Sequence, residues 1–184
     1  AQGSAIGVSL VRANAPDADL VRALEDALAL DPVALCERLV EGRELTCGVL
    51  DSPSFGPARA LPPTEIRPKA GAFYDFQSKY AQGGSDHLCP APIDAALTAR
   101  VQEIAIAAHR ALGCRDLSRS DILLGSDGTI VLLEVNALPG MTPVSLYPEA
   151  AKAAGVPMED LVDGLVRGAL QRGARLGAAA LAMP

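Results

Sequence analysis

Leu117-Ser118-Arg119-Ser120-Asp121-Ile122-Leu123-Leu124, then Gly125-Ser126-Asp127-Gly128, then Thr129-Ile130-Val131-Leu132-Leu133-Glu134-Val135-Asn136 sets two apolar runs on either side of a four-residue turn signal. The pattern predicts a β-hairpin. Side chains alternate faces along an extended chain, so Arg119 and Asp121 share one side of the first strand, and Glu134 and Asn136 share one side of the second. A tight hairpin then lays the two rows side by side. Three oxygen ligands (Asp121, Glu134, Asn136) and one guanidinium (Arg119) converge. Hard oxygens suit Mg²⁺, which takes one or two carboxylates and completes its shell with substrate phosphates. The rival account is a polar ladder across a solvated hairpin, since charged cross-strand pairs are ordinary. The apolar flanks Ile122-Leu123-Leu124 and Leu132-Leu133 argue against it, because acids on buried strands need a ligand.

Working outward, Asn136-Ala137-Leu138-Pro139-Gly140-Met141-Thr142 turns sharply, so backbone N–H groups near Gly140 can face an anion that develops beside the metal. Upstream, Asp94 caps a predicted helix to Leu112 whose apolar positions Leu97, Val101, Ile104, Ala105, Ala108 and Leu112 form one face. Strands are predicted at Val8–Val11, Val33–Val40, Arg43–Leu50 and Thr64–Arg67. A helix capped by Asp17 and ended by Asp31-Pro32 packs on the sheet in this reading. Lys69–Pro92 holds Phe73, Tyr74, Phe76 and Tyr80 without a period, a loop too long to be idle in a compact domain. Helices from Tyr147 to Ala154 and from Met158 to Arg172 follow, and the Ala/Gly-rich tail from Gly173 is expected to fray.

At 184 residues and 49% hydrophobic the chain can bury a real core. Aromatics make up only 3% and Trp is absent, so that core is Ala, Leu and Val packed between helices and sheet, an α/β (α+β) class. A net charge of −6 gives no basic footprint for nucleic acid. No apolar run is long enough to span a membrane, and Ala1–Val8 has no signal-peptide pattern, so a cytoplasmic protein is expected. Its abrupt opening, half a hairpin without Met, reads as an internal position of a longer protein. Cys36, Cys47, Cys89 and Cys114 stand too far apart for a zinc site and read as reduced thiols.

Glu134-Val135-Asn136-Ala137-Leu138-Pro139-Gly140-Met141-Thr142, with Ser145-Leu146 behind it, resembles the E-x-N-x-x-P-G-M-T-x-x-S-L segment of D-alanine:D-alanine ligases. The likeness runs from Gly3-Ser4 through Glu37, Glu41-Gly42-Arg43-Glu44, Phe73 to Tyr80, Cys89-Pro90 and Arg119-Ser120-Asp121 to about Leu165. It implies an ATP-grasp fold, with residues 1–39 belonging to a central ATP-binding domain, 40–176 to the C-terminal catalytic domain with a lid at 69–92, and 177–184 to a flexible tail. It further implies that Asp121, Glu134 and Asn136 bind two Mg²⁺ (or Mn²⁺) ions on the phosphates of ATP. Arg119 would stabilise the acyl phosphate and the tetrahedral intermediate, and Gly140 is the catalytic backbone position of the turn. Gly3, Ser4 and Ala5 match a phosphate-covering loop, Ala5 replacing the family's second serine. Glu37 and Leu39 match the adenine contacts, Glu44 the ribose contact, and Lys79 the γ-phosphate contact. Tyr80 would close with Ser4 over the first D-alanine, and Ser145 and Leu146 would take the carboxylate of the second.

The implied activity is ATP-dependent synthesis of D-alanyl-D-alanine for peptidoglycan, by a homodimer that binds neither nucleic acid nor membrane. Two rivals stand beside it. One is another ATP-grasp carboxylate-amine ligase, which would differ in its lid and at Ser145-Leu146. The other is a non-catalytic nucleotide-binding module, which would have lost an acid or Arg119. In the family, a substrate-orienting glutamate and phosphate-binding lysines lie upstream of Gly3, so this chain alone is expected to bind MgATP weakly and turn over little.

Overall fold

A computed structural model describes residues 7–68 and 85–181. The chain divides into two compact units, Ala1–Glu41 with Pro68–Asp86, and Gly42–Arg67 with His87–Pro184. In the first unit, helix α1 spans Asp17–Leu28; Pro16 occupies its N-cap position and no side chain caps it. Asp17 therefore does not cap as expected, and acts with Asp19 as favourable charge in the first turn. The strands expected at Val8–Val11 and Val33–Val40 do not form: both runs are irregular. A strand exists only as part of a ladder, and among the described residues neither run has a pairing partner. Among the described residues no sheet forms here for α1 to cover, and the helix buries none of its residues, contrary to the expected packing.

The sheet, most of whose residues belong to the second unit, comprises β1 (Gly42–Asp51), β2 (Arg59–Ala60), β3 (Thr64–Pro68), β4 (Ser85–Leu88), β5 (Asp116–Gly125) and β6 (Ile130–Asn136). Their order is β4-β3-β1-β5-β6, with β2 paired to the far end of β1. β1 pairs antiparallel with β2, β3 and β5, and β5 pairs antiparallel with β6. The expected loop 69–92 thus contains a strand, β4, and residues 69–84 lie outside the described residues. The β5–β6 turn closes as its sequence predicts. Gly128 takes φ +79°, and Asp127 accepts from the Thr129 N–H at 2.9 Å.

Helix α2 (Ala95–Ala111) begins where predicted, Asp94 accepting from the Leu97 N–H at 2.8 Å. Its buried Val101, Ala105 and His109 recur every four residues and meet one face of the sheet, where Leu45, Cys47, Ile122 and Leu124 complete the core. His109 Nδ1 lies 2.7 Å from Ser118 Oγ and Nε2 lies 3.3 Å from Asp51 Oδ2. Because Ser118 is wholly buried, this string ties α2 to β5 and β1 and offers no nucleophile. Burial likewise keeps the Cys47 thiol protonated, its pKa pushed up to about 12.

The opposite face is covered in part by α3 (Leu146–Ala153) and α4 (Met158–Leu181), through Leu50, Leu61, Tyr147, Ala150, Ala151 and Leu161. α4 does not stop at Arg172; it runs on to Leu181, since Ala, Leu and Arg sustain a helix. It sits very close to the short 3₁₀ turn Pro53–Phe55. A Cβ on Gly164 would stand 2.2 Å from the Phe55 ring, and one on Gly168 2.2 Å from Ser52 Oγ. At the β3 end of the sheet, Glu65 is only 4% exposed. Arg43 grips it with two bonds of 2.8 Å and Arg67 with one of 3.0 Å. The Arg43 bonds, helped by Arg67, hold this carboxyl at a pKa of about 2 despite burial.

Candidate active site

Along β5 burial alternates: Ser118, Ser120, Ile122 and Leu124 are buried, while Arg119, Asp121 and Leu123 are half-buried on the other face. β1 opposes them with Gly48 across from Arg119, Thr46 across from Asp121 and Glu44 across from Leu123. Glu44 therefore shares the polar face with Arg119 and Asp121.

β6 brings its acid there by a route the hairpin reading missed. From the turn, Leu124 pairs with Ile130, Leu123 with Val131 and Ile122 with Leu132. The register then slips, so that Asp121 opposes Glu134 and Arg119 opposes Asn136, with Leu133 bulged out. A regular ladder would set Leu133 opposite Asp121 and turn Glu134 and Asn136 to the α2 face, because one residue of slip exchanges faces. The bulge is what makes one row of four polar groups.

The row is bonded within itself. Arg119 donates from Nε and Nη2 to the two oxygens of Asp121, each at 2.8 Å. Asn136 Nδ2 donates to Asp121 Oδ2 at 3.1 Å and to Glu134 Oε1 at 3.3 Å. Arg119 and Asp121 are 18% and 22% exposed, so their bidentate pair is only partly screened. The expected burial of β6 is not found: Leu132 is 39% and Leu133 54% exposed, and Glu134 is exposed as well. The reason is position, since β6 is the edge of the sheet.

This donor set fits a hard divalent cation only together with a ligand. Among the described residues, no three His, Cys, Asp or Glu side chains form a metal-holding group, so protein donors stop at two carboxylates and the Asn136 amide oxygen. Mg²⁺ with substrate phosphates is the species that accepts so few protein ligands.

Beyond β6, Gly140 packs against Ser145: a Cβ at Gly140 would lie 2.9 Å from Ser145 Oγ. That hydroxyl bonds back to Thr142, accepting from its N–H at 3.1 Å and lying 2.8 Å from its Oγ1. Ser145 stands at the N-cap position of α3 without capping it, so no side chain caps the N–H groups of Leu146 and Tyr147, while Pro148 has none and that of Glu149 bonds the Ser145 carbonyl. Tyr147, in that turn, lies over Gly48, where a Cβ would be 3.0 Å from its ring. Its hydroxyl donates to the Val49 carbonyl at 2.9 Å.

The structure thus brings together Arg119, Asp121, Glu134 and Asn136, adds Glu44 on their face, and joins Gly140 to Ser145 and Leu146. Glu37 and Leu39 lie in the first unit, on the irregular segment after α1. Gly3, Ser4, Ala5, Lys79 and Tyr80 fall outside the described residues. Thr46 and Gly48 were not anticipated, although a glycine inside an apolar strand is a signal of close approach.

A protein-family model described as D-ala D-ala ligase C-terminus matches residues 1–167. The D-alanine--D-alanine ligase of Nitratidesulfovibrio vulgaris (strain DP4) is 48% identical over 147 residues, covering 80% of this chain and 46% of the relative. Among solved structures, the D-alanine--D-alanine ligase of Bacillus anthracis complexed with ATP is 32% identical, with a TM-score of 0.67 over 84% of this chain and 48% of that one. A D-Ala:D-Ser ligase of Enterococcus faecalis is 34% identical, with a TM-score of 0.69 over 81% of this chain and 42% of that one. The chain spans about half the length of the curated relatives it matches. The mixed helix and antiparallel sheet is the ATP-grasp fold of these ligases. Matched by the family model over most of its length, the chain belongs to the D-alanine:D-alanine ligases and corresponds to their C-terminal part.

Proposed function

We propose that this chain forms the phosphoryl-transfer end and the second-substrate site of an ATP-dependent ligase that joins two D-alanine molecules into D-alanyl-D-alanine, a peptidoglycan precursor. The observation that carries this reading is the bulged hairpin, which gathers Arg119, Asp121, Glu134 and Asn136 on one face beside the Gly140–Ser145 turn. Residues 1–39 serve as the remainder of the central ATP-binding domain, 40–176 as the catalytic domain and 177–184 as its tail. The setting is the cytoplasm. Among the described residues no helix is long and apolar enough to cross a membrane. A homodimer of the complete ligase accompanies the reading.

In the reaction, a carboxylate oxygen of the first D-alanine attacks the γ-phosphorus of ATP and ADP leaves. The amine of the second D-alanine then attacks the acyl phosphate carbonyl, phosphate departs and the amine loses its proton. Both transition states gather negative charge, so fixed cations and N–H donors are the main source of rate. Arg119 faces that charge, and the Gly140 N–H meets the tetrahedral oxyanion. Asp121, Glu134 and Asn136 would hold two Mg²⁺ ions, which would supply positive charge against the phosphates of ATP. Ser145 Oγ and the Leu146 N–H hold the second carboxylate at the open end of α3. Glu44 bonds the ribose, and Glu37 and Leu39 bound the adenine. Gly3, Ser4 and Ala5 cover the phosphates, Lys79 neutralises the γ-phosphate, and Tyr80 with Ser4 closes off water.

Glu134→Gln in the ligase that contains this chain tests the reading, because an amide would not replace the charge that a carboxylate offers a metal ion. Dipeptide formation should fall by about a thousandfold or more with an unchanged melting curve. Wild-type turnover in a folded variant overturns the metal assignment. Product analysis with D-alanine and D-serine in competition decides the second substrate.

A further inference from the structure

α3 is held over the sheet mainly by apolar contact. Its inward side is Tyr147, Ala150 and Ala151, and Gly48 beneath the tyrosine ring lets the helix lie close. Apolar contact has no direction, so it fixes the height of α3 above the sheet but little of its rotation or slide. Directional bonds supply the rest. One is Tyr147 Oη to the Val49 carbonyl, 2.9 Å. Another comes from the far side of the sheet: His87 Nδ1 on β4 lies 3.0 Å from Glu149 Oε2. Residues two apart on a helix point roughly 200° apart, so these bonds restrain different sides of α3.

Glu149 sits one turn inside the helix, its N–H bonded to the Ser145 carbonyl at 3.1 Å. A rigid turn carries any movement of Glu149 directly to Ser145 and Leu146.

Resting on the second-substrate role given above to Ser145 and Leu146, we propose that His87 is a positioning residue for the second amino acid. It acts through Glu149 by fixing the first turn of α3. His87 touches neither substrate nor nucleotide in this role, so it governs affinity at one subsite and leaves the chemistry alone.

Steady-state kinetics of the ligase containing this chain separates the Michaelis constants for ATP, the first D-alanine and the second. His87→Ala should raise the second-site KM about fivefold, the worth of one partly exposed hydrogen bond. kcat and the other two constants should stay within about twofold of wild type. Glu149→Ala should do the same, and the double variant should be no worse than either single one, as for two residues acting as a unit. His87→Gln, whose amide can still donate to Glu149, should recover most of the loss. Glu149 is partly exposed, so its variant carries the test if His87→Ala does not fold. Additive effects, a fall in kcat alone, or an unchanged second-site KM overturns the proposal. A wild-type ligase that makes no dipeptide overturns the functional reading and this proposal together, whereas an active wild type with indifferent variants overturns only this proposal.

Discussion

The two faces of the sheet are made from the same strands and do opposite work. Toward α2, Leu45, Cys47, Val49, Ile122 and Leu124 are sealed from water, and the polar Ser118 on that face is absorbed into a bonded string with His109 and Asp51. Toward α3, Glu44, Thr46, Arg119 and Asp121 alternate with those same residues, joined by Glu134 and Asn136. Strand periodicity lets one segment serve a core and a charged site at once, one residue apart. The arrangement also makes the site vulnerable in a way the core is not. A core tolerates apolar exchanges of similar volume, whereas a single step of register empties the site of its acids.

The sharpest way to break the contrast is to impose that step. Deleting Leu132 and Leu133 together leaves an unbulged hairpin in which Glu134 follows Val131 and meets Ile122, so that Glu134 and Asn136 should turn to the α2 side. Dipeptide formation should fall by about a thousandfold while circular dichroism still shows a folded chain. Turnover within tenfold of wild type would mean that the acids do not act from the face assigned to them. The mirror-image change is Ile122→Ala on the core face, which should cost about 3 kcal/mol in urea denaturation and leave kcat of the folded enzyme unchanged. A matching loss of kcat would show that the two faces are not separable.

Glu65 tests whether a charge can belong to the core. Its folded pKa of about 2 lies below the unfolded value, so its contribution is complete above about pH 4.5 and disappears as pH falls toward 2. Glu65→Gln should therefore lose on the order of 2 kcal/mol at pH 7, with wild type and variant converging over that acid window. Parallel stability curves down to pH 2 would contradict the Arg43–Glu65 pairing. The smallest effect is expected at Asp94→Ala, about 1 kcal/mol from the lost N-cap of α2, measured by thermal melting with no change in any KM.

Much of this second unit was legible in the sequence. The strands around Arg119 and Glu134, the turn at Gly125 to Gly128 and the start of α2 at Asp94 follow from local alternation and from residues with a single good use. Register was not legible, because alternation fixes which residues share a side of their own strand and says nothing about which partner they meet. The hairpin argument reached the correct four residues by assuming a ladder that would have separated them. Edge position escaped for a related reason: Leu132 and Leu133 look buried until the strand order leaves β6 without an outer neighbour. Val33–Val40 has strand composition and no partner among the described residues, and composition alone cannot supply one. The roles of Glu37, Leu39, Glu44, Lys79 and Tyr80 were read from family resemblance and not from any local physical signal.

On α4, Gly164 and Gly168 turn inward against Phe55 and Ser52 while Val166 and Leu170 are 53% and 68% exposed. The usual recipe for a sturdier helix exchanges exposed-looking glycines for alanine and gains about 1 kcal/mol apiece from propensity. Here that recipe has the wrong sign, since each new methyl would collide with a side chain and lever the helix away from its seat. A protein engineer seeking a better-behaved version should leave both glycines alone and recolour the outer stripe, Val166 and Leu170, with lysine or glutamate.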